Sequence, residues 1–204
     1  MTRRRETPAE GRARRGAVED PAAVLDAAAR FLEVRPRSTA EVRRRLVFAG
    51  YRPELVEGAI ARLADLDMLD DAAFARAWVE SRDRARPRGE RALRSELRGK
   101  GVADAIVAAV LEEREAAPAR ASTRGGGQVP VETAGESSAS ADEVAAAALL
   151  TRRGGAAARE ADPRRRRARA YGLLARHGFD PDVAGRAVTE WLAQVGSAAD
   201  APEG

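Results

Sequence analysis

Apolar residues recur along this chain every three or four positions, with no sustained alternation, which is the spacing of helices that each bury one face. Three stretches carry the same punctuation. Leu46-Val47-Phe48-Ala49-Gly50-Tyr51, Leu97-Arg98-Gly99-Lys100-Gly101-Val102 and Leu174-Ala175-Arg176-His177-Gly178-Phe179 each run from a leucine, through three residues, to a glycine and an apolar residue. Each follows an arginine-rich helical stretch and precedes another helix. A glycine just past a helix end takes the left-handed conformation that stops it, and the next residue folds back on the leucine. Tyr51 over Leu46, Val102 over Leu97 and Phe179 over Leu174 fit that turn. The recurrence is an internal repeat, and it sets the architecture.

The first unit, residues 20–69, opens at Asp20-Pro21, an N-cap and a first-turn proline. Leu25, Ala28, Ala29 and Leu32 form a buried face, and Pro36 ends the helix. Ser38-Thr39-Ala40-Glu41 is a capping box for a helix burying Val42, Leu46 and Val47. Pro53 opens a third that buries Val56, Ile60 and Leu63. The second unit, 70–116, starts at Asp70-Asp71 and buries Phe74, Ala77, Trp78 and Val79. It breaks at Arg86-Pro87-Arg88-Gly89, then continues through Leu93 and Leu97 to a helix carrying Ile106, Val107, Val110 and Leu111. The third unit, 142–196, begins with a helix built on Val144, Ala148 and Leu149, followed by a small loop or turn at 153–161. Asp162-Pro163 and Asp180-Pro181 start two more helices, the last carrying Val183, Val188 and Trp191. The basic segment 1–19 and the end 197–204 read as disordered tails, and the Ala/Gly/Ser/Thr/Pro stretch 117–141 as a flexible linker. The prediction is an all-α chain of nine helices: three tandem three-helix repeats forming an elongated, curved helical array.

Composition narrows the function more than the fold. With 44% apolar but only 4% aromatic residues, alanine and leucine fill the core. No apolar run is long enough to span a membrane, and the Met-Thr-Arg-Arg-Arg start is not a secretory signal, so a cytoplasmic protein is expected. Cysteine is absent and His177 is the one histidine, which leaves no transition-metal cluster. His177 reads as a basic residue at the negative end of a helix. Asp65, Asp67, Asp70 and Asp71 lack the spacing of a calcium loop and read as a helix end followed by an N-cap. Gly125-Gly126-Gly127 lacks the Lys-Ser/Thr ending of a phosphate loop. Trp78 and Trp191 sit at core spacing. No catalytic residue, metal or cofactor is expected.

Charge is placed, not scattered. Residues 35–52 carry six arginines against one glutamate, 82–100 eight basic against three acidic residues, and 164–176 six arginines and no acid, while the whole chain is only +4. The middle helix of each unit is therefore basic and its flanking helices are on balance acidic. Three such helices in corresponding positions suit a polyanion or an acidic protein groove, because the planar guanidinium binds phosphate and carboxylate bidentately.

Asp70-Asp71-Ala72-Ala73-Phe74, together with Arg88-Gly89-Glu90-Arg91-Ala92-Leu93-Arg94-Ser95-Glu96-Leu97-Arg98-Gly99-Lys100-Gly101-Val102, resembles the RecX family of bacterial modulators of the RecA recombinase. Arg35-Pro36-Arg37-Ser38-Thr39-Ala40-Glu41-Val42 resembles it in the first unit, and Arg167 to Phe179 more loosely in the third. The resemblance implies tandem three-helix units without catalytic activity that bind RecA and RecA–DNA filaments. It also implies inhibition of ATP hydrolysis and strand exchange, limiting recombination and the SOS response. Asp70, Asp71, Phe74, Trp78, Leu97 and Gly101 are then mainly structural. The contact candidates are Arg43, Arg44, Arg45, Arg88, Arg91, Arg94, Arg98, Lys100, Arg164, Arg165, Arg166 and Arg167. RecA is the expected partner and single- or double-stranded DNA a second one, with the chain a monomer. The alternative is a helix-turn-helix-like protein that binds DNA without RecA.

Overall fold

The computed structural model describes residues 7–122 and 139–199, and these form eleven α-helices with no strand among them. In chain order they are α1 (Pro8–Gly16), α2 (Pro21–Glu33), α3 (Thr39–Ala49), α4 (Pro53–Asp65), α5 (Asp71–Ala85), α6 (Glu90–Gly99), α7 (Asp104–Ser122), α8 (Ala141–Arg153), α9 (Gly155–Ala158), α10 (Pro163–Arg176) and α11 (Pro181–Ala199). The all-α expectation holds. The helices pack as two compact units, Met1–Arg76 with Leu97–Ile106 and Ala77–Glu96 with Val107–Gly204.

Most helix starts follow the expected chemistry. Asp20, Ser38, Asp70, Asp162 and Asp180 each accept a backbone N–H from the first turn of the helix they open. Two helices were not expected. Residues 8–16 form α1 rather than part of a disordered tail, because Thr7 and Glu10 make a reciprocal capping box, Pro8 fits the first turn, and Arg15 Nε donates to the carbonyl of Ala49. The 153–161 connection contains the single-turn α9. Helix α7 runs on through residues 117–122, past the predicted linker start. Of the rest of the predicted linker, 123–138 lies outside the described residues, and Ser140 caps α8 from Ala141. Helix α11 reaches Ala199, so 197–199 are helical, and the tail call on 200–204 also lies outside.

Three residues expected inside are exposed, Val47, Val144 and Ala77: Val47 and Val144 stand beside the buried Leu46 and Ala145, and Ala77 lies two positions from the buried Ala75 and Val79. The first unit's core joins Val24 and Ala28 of α2 to Val42 and Leu46 of α3 and to Val56, Ile60 and Leu63 of α4. In the second unit Ala146, Leu149 and Leu150 of α8 pack on Ala170 and Leu174 of α10 and on Ala184, Val188 and Trp191 of α11.

The repeated glycine turn is present in full. Gly50, Gly101 and Gly178 have φ of +101°, +80° and +80°. Their N–H groups donate to Val47, Arg98 and Ala175, and the following Tyr51, Val102 and Phe179 donate to Leu46, Leu97 and Leu174, the paired bonds of a Schellman cap. The carbonyl just before each glycine has no acceptor role left within its helix, and each is taken by a different donor. Arg15 Nε takes Ala49, the Ser38 hydroxyl takes Lys100 at 2.6 Å, and the Gly89 N–H takes His177 at 3.1 Å. These turns sit tight against neighbouring chain. A Cβ on Gly101 would strike the Ala40 Cβ, and one on Gly178 the Ala92 Cβ.

The second unit also holds a buried ionic cluster. Arg114 of α7, 8% exposed, donates to Asp83 at 2.8 and 3.0 Å and to Asp142 at 2.6 Å. Asp142, itself buried, also accepts the Glu90 N–H at 2.9 Å, so one carboxylate joins α6, α7 and α8.

Thermal or denaturant unfolding tests both features. Gly178→Ala should cost more than about 1 kcal/mol, through its positive φ and the Ala92 contact. Gly58→Ala, inside α4 with nothing near its missing Cβ, should gain roughly 0.5–1 kcal/mol. Arg114→Ala should cost about 3–5 kcal/mol, because it strands two carboxylates, one of them buried; a loss under 1 kcal/mol would show that the cluster is not holding the unit.

Candidate functional site

The twelve candidate basic residues lie on or beside α3, α6 and α10, and the structure sorts them by what each already holds. On α3, Arg43 makes a bidentate pair with Glu57 of α4, at 2.6 and 2.8 Å. That hydrogen bond holds the Glu57 carboxyl below its ordinary value. Arg44 and Arg45 are exposed and make no ion pair among the described residues; the Arg45 guanidinium stands 5.8 Å from the Phe31 ring centre.

Beside and along α6, most candidates are engaged. Arg94 pairs with Glu90 one turn earlier at 2.6 Å, and Arg98 with Asp104 at 2.6 Å. Arg88 lies 3.5 Å from Glu96. Lys100 reaches Glu41 at 3.1 Å beside the Ser38–Lys100 bond, so it acts as a clamp within the first unit. Burial raises the Glu41 carboxyl, but the Lys100 contact and the Ser38 backbone N–H outweigh it, and the net direction is downward. Arg91 is the exposed member with no ion pair among the described residues.

Helix α10 differs from the other two. Helices α3 and α6 carry Glu41 and Glu90 in their first turns, as the partial positive charge of a helix N-terminus favours. The first turn of α10 has no acid and begins Pro163-Arg164-Arg165-Arg166-Arg167. Arg164 and Arg167 are exposed without an ion pair among the described residues, and Arg165 is 3.7 Å from Asp162. Arg166 Nε donates to the Glu160 carbonyl at 2.9 Å. Each cation placed there costs helix stability, by up to about 1 kcal/mol.

The remaining singled-out residues are structural. Asp70 caps α5, Asp71 accepts the Thr39 N–H at 2.8 Å, Asp65 ends α4, and Asp67 turns the chain at φ 54°. No group of side chains suited to a metal occurs among the described residues. Trp191 is buried, whereas Trp78 is only half-buried: its indole N–H donates to Glu96 at 2.9 Å, and Arg82 covers its ring at 4.2 Å. His177 stands at the C-cap of α10, as its place in the sequence predicts. Burial lowers its pKa, the nearby Arg88, Arg153 and Arg176 lower it further, and Nδ1 bonds the Leu173 carbonyl at 2.9 Å.

A family model described as the first three-helix domain of RecX matches residues 25–63, and one described as its second three-helix domain matches residues 70–111. Residues 25–63 and 70–111 are thus similar to the two RecX domains. The chain is 40% identical over 98 residues to the regulatory protein RecX of Prosthecochloris aestuarii, across 48% of this chain and 65% of that protein. To the regulatory protein RecX of Mycobacterium sp. strain KMS it is 38% identical over 91 residues, across 45% of this chain and 50% of the relative. The chain thus spans half to just under two thirds of these curated relatives. The crystal structure of RecX from Lactobacillus salivarius matches with a TM-score of 0.66 over 86% of this chain and 98% of that one, at 17% identity, a likeness of fold. The two RecX domain matches contain the Gly50 and Gly101 turns and the helices α3 and α6. No helix is long and apolar enough to cross a membrane among the described residues.

Removing charge from the first turn of α10 tests whether those arginines serve stability. Arg164→Glu should raise stability by about 0.3–1 kcal/mol in a thermal melt at low salt; a fall of that size would give the arginine a structural role.

Proposed function

We propose that this chain is a non-enzymatic cytoplasmic regulator that binds RecA and RecA–DNA filaments, restrains ATP hydrolysis and strand exchange, and so limits recombination, DNA repair and the SOS response. The observation that carries the reading is the arginine-filled first turn of α10, where the side chains cost helix stability and stay exposed. Arg44 and Arg91, exposed without ion pairs among the described residues on α3 and α6, support it, as does the likeness to relatives named regulatory protein RecX. Arg43, Arg94 and Arg98 take a lesser part, since each would first have to leave a carboxylate. Exposed ion pairs of this kind hold only about 0–1 kcal/mol, so the exchange is within reach of a polyanion.

The test compares Arg164/Arg165/Arg167→Ala with Arg43/Arg94/Arg98→Ala. The first should stay folded and lose inhibition of RecA ATP hydrolysis on single-stranded DNA. Its log-log salt slope of binding should fall by about 0.7 for each single-strand phosphate contact removed. The second should lose less. Binding to bare single-stranded DNA with no effect on RecA would favour the alternative of a direct DNA-binding protein. Undiminished inhibition by the first variant would remove α10 from the contact surface.

A further inference from the structure

Within the second unit a cavity of about 130 Å³ is lined by Ala85, Arg86, Pro87, Arg88, Leu149, Arg152, Arg153 and His177. Four arginines and the histidine are among its lining residues, and no aspartate or glutamate is. That is unusual in a chain whose 36 basic residues are nearly matched by 32 acidic ones. Three of the four arginines have no full partner. Arg86 and Arg153 are exposed and make no ion pair among the described residues. Arg88 holds a buried Nε–H with no hydrogen-bond acceptor, its nearest carboxylate being Glu96 at 3.5 Å. Arg152 is anchored, one of its terminal nitrogens donating to the Arg84 carbonyl at 2.8 Å.

We propose that this cavity is a phosphate-binding site, taking the phosphodiester of a nucleic-acid backbone or a free phosphate group. Guanidinium groups bind such oxyanions through short, charge-assisted hydrogen bonds. The site is separate from the exposed first turn of α10 and does not depend on RecA.

The single histidine supplies its own reporter. The charged groups acting on His177 are Arg88, Arg153 and Arg176, all of which push its pKa below the usual value, behind the larger effect of burial. An anion seated among the arginines reverses their contribution and stabilises the imidazolium. The experiment follows the His177 ring signals by NMR in the full chain, across a pH series, with inorganic phosphate, with a short oligothymidylate, and with chloride at matched ionic strength. Phosphate should shift the signals saturably and raise the His177 pKa, while chloride should not. Arg86→Ala and Arg153→Ala should each weaken that binding by about tenfold, whereas Arg62→Ala, exposed on α4 and outside both sites, should leave phosphate binding unchanged. Saturation by the oligothymidylate alone, lost in the same two variants, would identify the backbone phosphodiester as the ligand. Signals that neither phosphate nor oligothymidylate moves, that chloride moves equally, or that respond as before in Arg86→Ala and Arg153→Ala would overturn the proposal.

Discussion

No side chain fits between the Gly178 turn and Ala92, or between the Gly101 turn and Ala40, and much else in the structure follows from that closeness. Each glycine must reverse its chain with positive φ, which ends α10 and α6 at a fixed residue. The reversal leaves one carbonyl exposed to the interior, and the start of another middle helix supplies the donor: Ser38 for Lys100 in the first unit, Gly89 for His177 in the second. The small residues Ala40 and Ala92 are there because nothing larger permits the approach. At Gly50 the same position is served by α1 through Arg15 and the backbone of Arg12, so the N-terminal segment helps to close the first unit.

That packing divides the arginines into two populations. Those near helix junctions are held by carboxylates or carbonyls: Arg43 by Glu57, Arg98 by Asp104, Arg114 by Asp83 and Asp142. Lys100 belongs with them through Glu41. The others face water with little to hold them, and in α10 they stand where the helix field repels them. A basic composition alone would not separate these groups, because surface ion pairs are cheap to form and cheap to break. The difference lies in which cations the fold would be better without.

Much of this was legible in the residues. The glycine turns, the aspartate–proline starts and the Ser38 capping box depend on neighbours within a few positions, and sequence displays such neighbours directly. The basic middle helices were legible for the same reason. Helix α1 was missed because residues 8–16 have no apolar period, although Thr7-Pro8-Ala9-Glu10 held the signal of its cap. The Arg114 cluster could not be read, since its carboxylates lie 31 and 28 residues away along the chain. The cavity around His177 was hidden likewise: Arg86 and Arg88, Arg152 and Arg153, and His177 come from three separate stretches. The split between paired and unpaired arginines was equally out of reach, because Glu57 and Arg43 meet only once α3 and α4 have packed.

The central claim is that the first turn of α10 is a contact surface and not a structural element. Hydrogen–deuterium exchange of the full chain, alone and with RecA on single-stranded DNA, tests it most directly. The first-turn amides of a helix lack intrahelical acceptors and exchange quickly when exposed. The account predicts that the amides of Arg165, and of Arg164, which only the Asp162 side chain holds, slow on the filament, while those around the Glu57 face of α4 keep their free rates. Unchanged exchange across α10, with the filament demonstrably bound, would contradict it.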